Sequence, residues 1–174
     1  FTATIDLNNK AIAQKYEKHL LYKYDLKEFR RDKYSKDVLF HLVDSDVSTR
    51  MLQAILISQF RKKIALKNGI NLKPLIMFKS QKIAESKGNL DSFVDLLTNL
   101  SVQQIVAQRE LAQDGILKQA FDFFDQSGLS DQDLIAELQE DFRLERLLLI
   151  DGKNKTSNNL VELNTLENPE NEIR

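Results

Sequence analysis

Apolar residues recur along this chain at two different spacings, and each spacing predicts a different kind of element. The clearest helical stripe is Val47, Met51, Leu52, Ile55, Leu56, Phe60 and Ile64. It predicts one long helix over about Val47 to Lys67. The preceding "DSDVST" offers N-cap residues, Asn68-Gly69 a left-handed C-terminal stop, and Pro74 follows soon after. A looser stripe of Ile12, Tyr16, His19/Leu20 and Tyr24 predicts a helix from Ala11 to Tyr24, and Asp25 to Lys36 is highly charged. Leu90, Phe93, Val94 and Leu97 predict another helix. "SVQQ" forms a capping box, in which Ser101 caps and Gln104 reaches back. The helix it starts carries Val102, Ile105 and Val106 and is expected to run through Gly115 to Phe124, with Gly128 ending it. Ser130 to Asp133 starts one more, with Leu134, Ile135, Leu138 and Phe142 on its apolar face.

Short continuous apolar runs predict strands instead. Thr2 to Leu7 and Asp37 to Val43 are modest examples; Leu75 to Phe78 and Leu147 to Ile150 are stronger. Helices separate the two strong runs, and a crossover of that kind joins parallel strands. The expected fold class is therefore α/β: a helix-rich piece containing part of a parallel sheet, with the helices of about 100–143 inserted into it. The Asn-, Thr- and Glu-rich chain from Lys153 onward reads as loop.

The 174 residues suffice for one domain or parts of two, and 42% hydrophobic with 29% charged residues suits a globular protein. A net charge of −1 means that any contact with nucleic acid has to be local. With no cysteine there is neither a disulfide framework nor a thiolate metal site, which agrees with a cytoplasmic protein. No apolar run approaches the roughly 18 residues of a membrane helix. The chain begins "FTATID" and stops at "NPENEIR", which reads as a piece of a longer polypeptide.

Candidate chemistry is sparse. A phosphate loop needs clustered glycines and a lysine. The five glycines here are scattered, and the single Gly-Lys pair, Gly152-Lys153, has no glycine upstream. His19 and His41 stand far apart in sequence in apolar surroundings, and no acid pair suggests a catalytic dyad, so no catalytic or metal-binding residue is assigned. Glu85-Ser86-Lys87 lacks the upstream acid that a nuclease would need. Arg30-Arg31-Lys33 and Arg61-Lys62-Lys63 read as solvated helix faces. Lys79, Ser80, Gln81, Lys82 and Ser86 lie between a predicted strand and a helix. Backbone N–H groups and hydroxyls there can grip phosphate oxygens without reading sequence, although an ordinary polar turn has the same composition. A second reading, a non-enzymatic helical interaction module, rests on Phe121, Phe123 and Phe124 as an exposed partner surface.

Four stretches taken in order, "FTATID", "YEKHLLYKYDLKEFRRDKYSKDV", "KPLIMFKSQKIAESKGNLDSF" and "LVELNTLENPENEIR", resemble the Res subunit of type III restriction-modification enzymes, which are superfamily 2 helicase-like proteins. The likeness is weakest from about Ser101 to Glu145. It implies two RecA-like ATPase lobes, with residues 1–45 the end of the first lobe and a connector, and 46–174 the start of the second. Thr2, Ala3 and Thr4 look like motif III, which couples nucleotide state to DNA movement. Phe78, Lys79, Ser80, Lys82 and Ser86 look like motif IV, facing the DNA backbone or the nucleotide cleft. The phosphate-binding and Mg²⁺-binding motifs are not in this sequence. The resemblance thus implies an internal part of an ATP-dependent DNA translocase, inactive alone. ATP and Mg belong to the parent protein, and DNA and a modification (methyltransferase) subunit are its partners.

Overall fold

Burial of one long helix explains most of what the chain does between Asp46 and Phe142. The computed structural model describes residues 7–20, 22, 24–35, 39, 41, 45–150 and 157–174. Of these, 63% are helical and none is in a strand. The helices are α1 (Lys10–Tyr16), α2 (Leu26–Arg31), α3 (Val47–Lys67), α4 (Ile83–Thr98), α5 (Val102–Leu111), α6 (Gly115–Gln126), α7 (Asp131–Asp141) and α8 (Ser157–Asn164), with 3₁₀ turns at Glu17–His19 and Leu144–Arg146. They divide into two compact units, Phe1–Phe40 and His41–Arg174.

In the second unit α3 packs against α4, α6 and α7, and α5 lies against α6 and α7. Its ends follow the sequence signals. The Asp46 carboxylate accepts from Thr49 N at 2.9 Å, and Gly69 stops the helix at φ 72°. Met51, Leu52, Ile55, Leu56 and Phe60 are buried, meeting Ile105, Leu117, Phe124, Leu134 and Leu138 in one core. Two amides of α3, Gln53 and Gln59, are buried too, and both have partners. Gln53 donates to Gln108 Oε1 on α5 at 2.9 Å, and Gln59 donates to Glu137 Oε2 on α7 at 2.7 Å. The capping box at Ser101 and Gln104 and the Ser130 cap are both present. The α5–α6 helix expected to run through Gly115 is broken instead at Ala112, and Gly115 starts α6 at φ 69°, a backbone conformation open to glycine. Arg109 closes this corner. Its Nη1 binds Asp125 on α6, its Nη2 binds Asp131 at the start of α7, all at 2.8 Å, and its guanidinium lies 4.6 Å from the Phe121 ring centroid.

Several expectations fail, each for a physical reason. The parallel sheet, RecA-like by resemblance, is not found among the described residues. Leu75 to Phe78 and Leu147 to Ile150 lie outside regular structure, with no neighbouring strand among the described residues to satisfy their backbone groups. An apolar run shows only that side chains want burial. Here the helices supply it: Ile76 and Leu147 pack on the helical core. The first helix stops at Tyr16, with a 3₁₀ turn to His19, rather than reaching Tyr24. The tail expected to be loop forms α8, whose Asn-rich composition gives a weak helix signal. The Thr2 to Leu7 and Asp37 to Val43 strand expectations fall largely outside the described residues. Phe121 and Phe124 are buried, and Phe123 packs on Phe60 at 5.5 Å, so these rings build the core and give no ground for a partner surface.

The first unit is held by local caps and rings. Asp25 caps α2, accepting from Glu28 N at 2.9 Å, while Asp25 N donates to Glu28 Oε2 at 3.3 Å. Tyr22, Tyr24, Phe29 and Tyr34 form a continuous row, with successive centroids 6.0, 6.0 and 5.7 Å apart. The Tyr24 hydroxyl donates to Asp32 Oδ2 at 2.8 Å. Partial burial first, then this carboxylate, push Tyr24 up to about 12.

Two outcomes follow. Phe124→Ala should cost about 3–5 kcal/mol in denaturant unfolding, because it leaves a cavity against α3, whereas the exposed Met77→Ala should stay within about 0.5 kcal/mol. The raised Tyr24 value favours the neutral phenol in the folded state. Its contribution should be full below the ordinary value of 10.0 and be lost as pH rises through about 12. An absorbance titration should show a late tyrosine step that Tyr24→Phe removes.

Candidate nucleic-acid interface

The motif IV-like residues sit where the extended segment after Gly69 turns into α4. Phe78 is half exposed, and its ring meets buried Phe93 at 5.4 Å, which anchors the turn to the core. Lys79 follows, exposed, with no ion pair among the described residues. Ser80 is half-buried, and its Oγ accepts from Asn89 Nδ2 at 2.9 Å, tying the turn to the second turn of α4. Lys82 occupies the N-cap position in extended conformation, and its Nζ lies 3.4 Å from Glu85 Oε1. Ser86 lies one turn inside the helix, and its backbone N–H already donates to Lys82 O at 3.1 Å.

The structure therefore brings Lys79, Ser80 and Lys82 to one helix start and leaves Ser86 as a helical residue. Two exposed ammonium groups beside a 16-residue helix's N-terminus favour an anion. Glu85 in the first turn opposes it, so a phosphate would have to compete for Lys82. The arrangement can hold a phosphate backbone without sequence preference. It contains no nucleophile–base pair and no convergent acids. Among the described residues no group of three or more His, Asp or Glu could hold a metal ion. Thr2, Ala3 and Thr4 lie outside the described residues. His19 belongs to the first unit. His41 belongs to the second, where its Nε2 is 3.1 Å from Gln53 Oε1.

The sequence reading missed the cluster at the other end of α7. Asp141, with its side chain 10% exposed, binds Lys62 from α3 and Arg146 Nη1 at 3.3 Å, and lies 4.0 Å from Arg174 Nη2. Glu172 adds a contact to Arg143 at 3.4 Å. Lys73 donates to the carbonyls of Asn171 at 2.6 Å and Asn168 at 3.3 Å, and Arg174 N donates to Arg146 O at 2.9 Å. Burial, then the nearby Arg174 charge, hold Lys73 below the usual ammonium value. These bonds dock the "NTLENPENEIR" segment on the helical unit. No spacing in the sequence announces them, because the partners lie up to 98 residues apart.

A relative supplies what this geometry leaves open. The chain is 39% identical, over 103 residues, to a protein described as a probable type III restriction-modification enzyme HindVIP Res subunit from Haemophilus influenzae. This chain is similar to a type III Res subunit. The matched stretch is 58% of this chain and 20% of that Res subunit, so the chain spans about a fifth of the relative's length. No family model and no solved structure matches the chain. Among the described residues, no helix is long and apolar enough to cross a membrane.

Removing the carboxylate of Asp141 would leave Lys62, Arg146 and Arg174 facing one another with little water. Asp141→Ala should lower the unfolding free energy by about 3 kcal/mol. Exposed pairs such as Lys118–Asp122 should be worth less than about 0.5 kcal/mol when broken. Denaturant titrations of the two variants make the comparison.

Proposed function

We propose that this chain is part of the DNA-translocating portion of a type III restriction Res subunit, contributing backbone contacts and not the hydrolytic machinery. The 39% identity to the Haemophilus influenzae Res subunit carries the reading. The turn before α4 supports it, because Lys79 and Lys82 stand exposed at the start of a 16-residue helix, Lys79 without an ion pair among the described residues and Lys82 sharing its charge with Glu85. Thr2, Ala3 and Thr4 would couple nucleotide state to movement, as the resemblance to motif III implies. Phe78, Ser80 and Ser86 would shape the turn rather than touch DNA: Phe78 is stacked on Phe93, Ser80 is bonded to Asn89, and Ser86 is inside the helix. ATP and Mg²⁺ would be bound by other parts of the parent protein, and a modification subunit would supply methylation and partner the complex. A translocase without any restriction role is the nearest rival, and nuclease activity of the parent separates the two.

The 174-residue chain alone should show no Mg²⁺-dependent ATP hydrolysis; turnover by the pure chain overturns this assignment of roles. In the complete enzyme, Lys79→Ala should reduce the salt slope of DNA binding by about one, with equal loss on all sequences. Equal slopes for the wild type and the variant would remove Lys79 from the contact.

A further inference from the structure

Charge is divided unevenly between the two units. The first, Phe1–Phe40, carries nine Lys/Arg against six Asp/Glu, a net +3, while the second carries 16 against 20, a net −4. On the first unit the cations interleave with aromatic rings: Tyr22, Tyr24, Lys27, Phe29, Arg30, Arg31, Lys33 and Tyr34 follow one another within 13 residues. The rings form the row described above. Tyr22 stacks on Tyr24 at 18°, Tyr24 meets Phe29 edge-on at 82°, and Phe29 meets Tyr34 at 35°. The end rings, Tyr22 and Tyr34, are 75% and 71% exposed, although they are large apolar surfaces that a folded chain ordinarily covers.

The acids among these rings are already engaged. Asp25 caps α2, Glu28 completes the capping box, and Asp32 holds the Tyr24 hydroxyl and lies 3.4 Å from Arg31 Nε. Lys27 and Lys33 are exposed and form no ion pair among the described residues. Lys33 is held at φ 64°, the left-handed turn that brings Tyr34 back so that its N–H donates to Phe29 O at 3.1 Å. A side chain other than glycine or asparagine in that conformation costs some strain, and its product is the placement of an exposed ring at the end of the row.

From this we infer that the first unit is a stacking platform for single-stranded nucleic acid: unpaired bases stack on Tyr22 and Tyr34, and Lys27, Lys33 and Arg31 meet the phosphates. A strand of unpaired nucleotides is the partner that offers both flat π-faces and a line of negative charge. A duplex hides its base faces and would engage only the cations. An acidic peptide would satisfy the lysines but leave the rings without a matching surface. This site does not rest on the translocase reading; a chain with no part in restriction would bind the same ligand through the same rings.

All four tyrosines, Tyr16, Tyr22, Tyr24 and Tyr34, lie in this unit, and the chain has no tryptophan. Intrinsic tyrosine fluorescence therefore reports on the first unit, where three of the four tyrosines are in the ring row. The 174-residue chain should be titrated in low salt with oligothymidylate and with a duplex of equal length. Oligothymidylate should quench the tyrosine emission and bind more tightly than the duplex. Tyr22→Ala and Tyr34→Ala should each weaken it by about tenfold, the scale of losing one stacked base, and Tyr34→Phe should bind as the wild type does. Both positions are exposed, so the alanine variants keep the fold, which circular dichroism verifies. Undiminished binding in the two alanine variants, equal affinity for the duplex, or no saturable binding in low salt each overturns the platform.

Discussion

Helix α3 has to bury an apolar stripe and a row of amides on its flanks at the same time, and the helices after it are placed by that requirement. Ile55 and Leu56 are wholly enclosed, and Gln53 and Gln59 are almost so. A buried amide without a partner costs more than a neutral hydrogen bond contributes. Gln108 and Glu137 must therefore arrive at fixed points on α5 and α7. Apolar contact alone would tolerate sliding of one helix along another. The amide bonds fix the register, and Lys63, which reaches Glu137 at 2.7 Å, repeats the instruction one turn on.

The Arg109 corner and the Asp141 cluster extend the same logic to places where the chain changes direction. Arg109 joins three consecutive helices through two carboxylates and one ring. Asp141 gathers cations from α3, from the turn after α7 and from the last residue of the segment. Both are multi-partner sites with limited exposure, so both act more strongly than exposed pairs of the same geometry. The candidate phosphate turn differs in kind. Its lysines are exposed, and its firm contacts are made by Phe78 and Ser80. Rigid neighbours holding two solvated cations make a surface suited to contact without sequence reading.

The bounds of α3 and the starts of α5 and α7 were legible because they depend on neighbours in sequence. Asp46 and Gly69 bound α3 where the residues say, and the capping box at Ser101 and the cap at Ser130 form as their spacing dictates. The apolar runs at Leu75 and Leu147 were misread because a run reports the wish for burial, not the means. A strand needs a second strand, which no local pattern can promise. That Lys79, Ser80 and Lys82 precede a helix was legible; their place at its very start and the engagement of Ser86 inside it were not, since both depended on α4 beginning at Ile83 rather than near Leu90. The aromatic row is split in the sequence between a predicted helix that ends at Tyr24 and the charged stretch that holds Phe29 and Tyr34. Its meaning comes from ring angles and from a left-handed Lys33, which only coordinates supply.

The docking of the tail has a consequence for the order in which this chain assembles. Corners such as Arg109–Asp125 close loops of 16 residues, whereas Lys62–Asp141 and Lys73–Asn171 close loops of 79 and 98. Loop-closure entropy grows with length, and the long closures reward the chain only after the local ones exist. Helices α5 to α7 can therefore zip up among themselves before α3 clasps them, and the "NPENEIR" segment, held by Lys73 ahead of α4, Asp141 at the end of α7 and the arginines of the turn after it, can be stitched down only once these are in place. Without the residues from Asn168 onward, Lys73 would have neither of its carbonyl acceptors.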